Sequence, residues 1–291
     1  MTPYTHIETS QQLREFIASF LTAGTKSFAM DFEEESNLHV YGEHLCLIQL
    51  FDGKKYYVID AWKIQNSPDG VNSLKFFLES PVEKVMFDCS SDAAIVRKTL
   101  GSQSAGVFDI RIIAQALGYM GNLTGLVERN LHIICDSGTA KKKYQRANWM
   151  KRPLPEEQIE YALDDVKYLF DLKQSLEEEM KGLSAQQQKG IMSAMRNCAK
   201  QKHRERPGWE KICNYKLLNH CEKVYIRYFF TARDVLAKKA NVPPMNIVDK
   251  QTVVKMAKTG TWEGLLEGPQ LRYSGAFEQA RLKACAELEN K

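Results

Sequence analysis

The stretch Ser27–Ile59, SFAMDFEEESNLHVYGEHLCLIQLFDGKKYYVI, decides how this chain folds. Within it Ser27–Phe32, His44–Phe51 and Lys55–Ile59 are short runs rich in aromatic and branched residues, the composition of pleated, half-buried strands. Asp52-Gly53 separates the last two, and an Asp-Gly pair between apolar runs supplies the positive φ angles of a tight hairpin. The runs predict an antiparallel meander of three strands. Upstream, Leu13, Phe16, Ile17, Phe20 and Leu21 recur at helical spacing behind the cap candidates Thr9 and Ser10.

Downstream the period alternates. A helix is expected over Val71–Leu78, a strand over Lys84–Phe87, a helix over Ser90–Leu100, a strand over Gly106–Phe108 and a helix over Asp109–Leu117. Strands separated by helices pair in parallel, with the helices as crossovers. The expected fold is therefore α/β: a mixed five-stranded sheet flanked by helices, the ribonuclease-H-like layout. A further helix near Leu123–Leu131 leads to a basic loop, and Pro155, followed by Glu156 and Glu157, opens a long helix to about Met180.

Residues 181–208 are polar and basic with few large apolar side chains, and read as a helical linker between a domain over 1–180 and a second over 209–291. Beyond Trp209 the pattern is helical, with Val224, Tyr228, Ala232 and Leu236 four apart, a stop at Pro243-Pro244 and a new helix capped by Asp249. That part is expected to be a small all-α bundle.

Charge divides the same way. Residues 1–180 carry 19 Lys and Arg against 26 Asp and Glu, and residues 181–291 carry 21 against 10, so an acidic part precedes a basic one. A cation-holding domain joined to a polyanion-holding one has that balance. The apolar runs are too short for a membrane span, which needs about 18 residues or more. The N-terminus has no basic start followed by an apolar core, so a cytoplasmic location is expected. Seven scattered cysteines with no C-x-x-C pair read as reduced thiols, mostly core fillers.

Four acids and one phenol draw notice. Asp31 and Glu33, two apart on a strand, point to one face of the sheet, where paired carboxylates repel and call for a cation; read alone they equally begin a solvated acidic loop. Asp92 follows a strand into the first turn of a helix, where the helix dipole favours an acid regardless of function. Tyr161 and Asp165 stand one turn apart on the flank of an apolar stripe, equally a rim aromatic and a surface acid. Lys141, Lys142, Lys143, Arg146, Lys151 and Arg152 form a basic stretch suited to phosphates or simply to solvent, and Trp149 suits a base-stacking role or, more commonly, a packed anchor.

Order and spacing join these items. With D-x-E on the first strand of the meander, an Asp on a middle helix and Y-x-x-x-D on a late helix, the chain resembles the DEDD 3′-to-5′ exonucleases of the tyrosine subclass, and among them bacterial ribonuclease D. The resemblance rests on FAMDFEEE, KVMFDCSSDAAIVRKTLG, GVFDIRIIAQALGYM and NWMKRPLPEEQIEYALDDVKYLFDL, nearly all of residues 25–175. The segment IRYFFTARDVLAKKANVPPMNIVDK is similar to the helicase-and-RNase-D C-terminal (HRDC) type.

The resemblance implies two divalent ions, Mg²⁺ or Mn²⁺, held by Asp31, Glu33, Asp92 and Asp165, with Asp92 acting through water and Tyr161 positioning the attacking water. It implies stepwise removal of nucleoside 5′-monophosphates from the 3′ end of RNA, transfer RNA precursors or other small structured RNAs, by a monomer whose Lys141, Lys142, Lys143, Arg146 and Arg152 meet the nucleic acid. The alternatives are a DNA 3′-to-5′ exonuclease and a catalytically inactive RNA scaffold. The chain departs from the family's usual pattern at Phe32, Phe87, Asp88 and Cys89, which bear on the terminal-nucleotide pocket. Asp109, in the family's F-D motif, is read as a helix cap.

Overall fold

The computed structural model describes residues 2–134, 143–200 and 206–290, which form two units: 2–35 with 43–200, and 36–42 with 206–290. No helix among the described residues is long and apolar enough to cross a membrane.

The first unit is built on one sheet. Its strands are β1 (Tyr4–Ile7), β2 (Ser27–Ser36), β3 (Glu43–Phe51), β4 (Tyr56–Ile59), β5 (Glu83–Met86) and β6 (Val107–Asp109), in the spatial order β1-β4-β3-β2-β5-β6. β3 pairs antiparallel with β4, while β1 with β4, β2 with β5 and β5 with β6 run parallel. The meander stands as expected, and Asp52 closes its hairpin by accepting from Lys54 N and Lys55 N at 2.8 and 2.7 Å.

The sheet has six strands, not five. β1 is four residues long and buries only Ile7 fully, so its sequence carries no alternating pattern; its pairing with β4, Tyr4 opposite Tyr56 through Ile7 opposite Ile59, makes it a strand.

Alternation along β2 sends side chains to two layers. Phe28, Met30 and Phe32 enter a core with Leu13, Phe16, Ile17 and Phe20 of α1 (Ser10–Thr22) and Leu74 and Phe77 of α3 (Pro68–Glu79). Ala29 faces the opposite layer, so Asp31 and Glu33 share that side. Thr9 opens α1 with a capping box, in which its hydroxyl accepts from Gln12 N while the Gln12 side chain takes the backbone N–H of Thr9. A four-residue helix, α2 (Ala61–Ile64), links β4 to α3.

The opposite layer holds α5 (Ile110–Ala116), α6 (Leu123–Leu131), α7 (Glu156–Lys167) and α8 (Leu169–Met180), while α4 (Ser90–Leu100) adds Ile95, Val96 and Leu100 to the core of α1. The single long helix expected from Pro155 is two, divided at Tyr168. Ile159, Ala162 and Leu163 of α7 pack with Cys46, Leu47 and Trp149, whereas Leu169, Leu172 and Leu176 of α8 pack with Phe108 and Ile113. The two halves thus pack mainly into different clusters of the same layer.

Residues 181–208 are not simply a linker. Helix α9 (Ala185–Asn197), opened by a Ser184 capping box, buries Ile191 and Met195 in the cluster of Phe108, Ile113 and Leu176 and belongs to the first unit. Two apolar side chains four apart are enough to dock a helix but too few to make a visible stripe.

One buried cation ties loops beneath the sheet. Lys84 is fully buried, and its ammonium donates to Ser80 O, Val82 O and Ala105 O at 2.7, 3.0 and 3.0 Å. Burial pushes its pKa down to about 7, against the three carbonyls that favour the charged form.

The second unit is helical: α10 (His220–Ala240), α11 (Lys250–Thr259) and α12 (Ser274–Glu289) surround Ile226, Phe229, Val253, Met256 and Phe277. α10 ends at Asn241 in the left-handed region, α11 starts at the Asp249 cap, and Gly260, at φ +70°, ends it. Glu287 of α12 accepts from Tyr228 Oη at 3.0 Å and pairs with Arg227 of α10.

Candidate active site

β2 ends its buried run by presenting Asp31 and Glu33 on one face, and α7 brings Asp165 to the same place. One carboxylate oxygen from each of Asp31, Glu33 and Asp165 lies within 4.8 Å of the others. Each of the three is half-buried.

Glu33 reports the local field. Burial first, then Asp31, Asp165, Asp92 and Glu34 in turn, lift its pKa well above the ordinary carboxyl value. These four neighbours are all carboxylates and raise it in the same sense. Gln49 of β3, fully buried, sits 3.5 Å from Glu33 through its amide nitrogen, and its Oε1 has no partner among the described residues. Converging hard oxygen donors suit a divalent cation such as Mg²⁺ or Mn²⁺.

Asp92 stands in the first turn of α4, outside that group of three. It is nonetheless within electrostatic reach of Glu33, and burial followed by Glu34, Asp109 and Asp88 pushes its own pKa up to about 8. The four sequence-predicted acids therefore share one field, three in mutual reach and Asp92 to one side.

Tyr161 lies one turn before Asp165, half-buried, with its ring against Tyr144 at 5.5 Å and Trp149 at 6.3 Å between centroids. Burial, then Asp165, Glu33 and Asp31, raise its phenol pKa, so the hydroxyl keeps its proton at neutral pH. A cavity of about 540 Å³ opens beside it, walled by Tyr161 and Asp165 together with Leu123, Val127 and Tyr168.

The basic stretch does not act as a unit. Lys141 and Lys142 lie outside the described residues. Lys143 and Arg146 are exposed, the former 3.3 Å from Glu157 and 2.9 Å from the Tyr144 hydroxyl, which itself donates to Glu157 at 2.6 Å. Arg152 is corrected: it is not a surface cation. Its Nε and Nη2 take the fully buried carboxylate of Asp60, Nη2 also donates to Cys46 O at 3.3 Å, and Nη1 donates to Trp149 O and Lys151 O at 2.6 and 2.9 Å. With every nitrogen engaged, Arg152 has no donor to offer a phosphate. Trp149, 2% exposed, is an anchor and not a stacking platform.

Phe32 points into the α1 core, away from the carboxylates, so that departure does not line the site. A second group with metal-ligand spacing, His6, Glu8 and Asp60, is already compensated by Lys63 on Glu8 and Arg152 on Asp60. Sequence reasoning missed Gln49 and the Tyr144 ring beside Tyr161; neither residue type announces such a position.

A mixed sheet of this order, with carboxylates gathered from β2 and α7, has the fold of the RRP6 and RNase D structures. The chain belongs to the 3′-5′ exonuclease family, whose model matches residues 4–181. Exosome complex exonuclease RRP6 of Saccharomyces cerevisiae is 23% identical over 268 residues, 86% of this chain and 35% of that protein. Ribonuclease D of Haemophilus influenzae is 32% identical over 149 residues, 50% of this chain and 35% of that protein. This chain thus spans about a third of the length of each. The catalytic core of RRP6 from Trypanosoma brucei has the same fold, with a TM-score of 0.76 at 20% identity, over 99% of this chain and 81% of that one.

Proposed function

We propose that this protein is a 3′-to-5′ exoribonuclease that hydrolyses the terminal phosphodiester of RNA and releases nucleoside 5′-monophosphates. The observation that carries the reading is the convergence of Asp31, Glu33 and Asp165 within 4.8 Å, one turn from the Tyr161 phenol. The names of the relatives, ribonuclease D and exosome exonuclease RRP6, support RNA over DNA.

Asp31, Glu33 and Asp165, with Asp92 on the outer side, would hold two divalent cations, Mg²⁺ or Mn²⁺, which would supply Lewis acidity and acidify water. The chain's own groups do the rest. Tyr161, kept protonated, donates and accepts one hydrogen bond each and so orients the attacking water. The Tyr144 and Trp149 rings fix the phenol in place. Exposed Lys143 and Arg146 lie beside α7 as phosphate contacts, and the basic helical unit, read as HRDC-like, adds nucleic-acid affinity. The substrates are transfer RNA precursors or other small structured RNAs with a single-stranded 3′ end, acted on by a monomer.

The test uses 5′-labelled RNA with a single-stranded 3′ tail, a matched DNA tail, and Mg²⁺ or Mn²⁺. The expected result is a ladder shortening from the 3′ end, faster on RNA, with 5′-mononucleotides as product. Asp31→Ala and Asp165→Ala abolish the ladder. An intact RNA in both ions, or full activity in those variants, overturns the reading.

A further inference from the structure

We infer that Asp109, which stands outside the carboxylate cluster, is a positioning residue for Asp92, holding the turn from which Asp92 is presented. The inference rests on the exonuclease reading above.

Asp109 closes β6 and is 5% exposed. A helix cap needs one acceptor, and its Oδ1 serves α5 in that way by accepting from Arg111 N at 3.0 Å. The carboxylate then reaches back to the turn between β5 and α4: Oδ1 accepts from Asp88 N at 2.9 Å and Oδ2 from Cys89 N at 3.0 Å. A cap alone leaves those two bonds unexplained.

The turn has one local side-chain bond, Ser90 Oγ donating to Asp88 Oδ1 at 3.1 Å, and its two backbone N–H groups go to Asp109. Asp88 lies at φ +62°, in the left-handed region that non-glycine residues occupy infrequently, Asp more readily than most. Cys89, at the N-cap of α4, makes no side-chain cap bond, so the start of that helix is fixed from outside. Arg111, from the first turn of α5, pairs with the Asp88 carboxylate and holds the same residue from its other side. Three residues after Cys89 comes Asp92, whose charge bears on Glu33. A rotation of the 88–89 turn therefore swings the first turn of α4 and carries Asp92 away from the cluster. Met195 of α9 backs the arrangement, accepting from Asp109 N at 2.8 Å through Sδ.

Asp109→Asn keeps the size of the side chain but turns one acceptor into a donor that faces a backbone N–H. In the full chain, the Mn²⁺ concentration for half-maximal hydrolysis of a tailed RNA is expected to rise about tenfold, the range for loss of a residue that orients a metal ligand, with KM for RNA unchanged. Calorimetric Mn²⁺ binding weakens in step. On an Asp92→Ala background, Asp109→Asn adds no further loss, because it acts through Asp92.

An unchanged Mn²⁺ midpoint overturns the inference, as does an equal loss on both backgrounds. Should Asp109→Asn fail to fold, Asp109→Glu, which keeps the charge on a longer arm, takes the same titration. If neither folds, Asp109 belongs to the fold and the inference falls. An unmodified chain that binds Mn²⁺ but cuts neither RNA nor DNA overturns the exonuclease reading, while the binding comparison still decides for Asp109.

Discussion

Replacing Arg152 by alanine separates two roles that the sequence leaves equivalent. Asp60, its counter-ion, is fully buried and also caps α2 by accepting from Lys63 N at 3.0 Å. Removing the guanidinium strands a buried carboxylate and frees the carbonyls of Cys46, Trp149 and Lys151 from their donors. Breaking a buried pair from one side costs about 3–5 kcal/mol. For a unit of this size that lowers Tm by roughly 10 °C. The assay is a thermal melt of Arg152→Ala beside RNA binding at several salt concentrations, measured well below the melt. The expected result is a large fall in Tm with the salt dependence of binding unchanged. In Asp60→Ala/Arg152→Leu, which removes both charges, part of the loss returns. Arg146→Ala is the contrast: unchanged Tm and a salt slope lower by about 1. If Arg152→Ala melts with the parent and lowers the salt slope, Arg152 contacts phosphate and the structural assignment is refuted.

Tyr161→Phe keeps the ring between Tyr144 and Trp149, so Tm stays within a few degrees while kcat falls about 10²-fold, as expected for a lost water-orienting hydroxyl; equal kcat in the variant refutes the role. Asp92 is held to about 8 in the folded chain against an ordinary 3.8, and Glu33 is raised in the same sense. The native state therefore binds more protons than the unfolded one between those values, and without divalent ions stability falls as pH rises from about 5 to 8; melts across that range check the slope, and saturating Mg²⁺ removes it. A fragment ending at residue 200 is expected to fold, whereas one ending at 181 loses Ile191 and Met195, each worth about 1.5–3 kcal/mol of burial, and exposes the cluster around Phe108; chemical denaturation of the two fragments measures the difference.

What the sequence shows is what local chemistry decides. The Asp-Gly hairpin, the alternation along β2 and the β-α alternation after residue 70 are local, and the strands and helices they predict are present. β1 is invisible because a four-residue edge strand owes its form to β4. α9 is invisible because two apolar residues dock it. In the site, the period of two places Asp31 and Glu33 on one face without further help, but nothing local brings Asp165 to them; that step came from order and resemblance. Arg152 misleads for the converse reason: its partner is 92 residues away, and an arginine engaged by a buried carboxylate looks like a free one in a basic stretch.

The distance along the chain between the site's halves also bears on biogenesis. Glu33 and Asp165 are 132 positions apart (165 − 33), while the meander that carries Glu33 is complete by Ile59. Strands that close through local hairpins form early, and contacts this remote in sequence wait for the intervening chain. During synthesis the first carboxylates thus emerge, fold into their strand and remain incompetent until α7 has left the ribosome and docked.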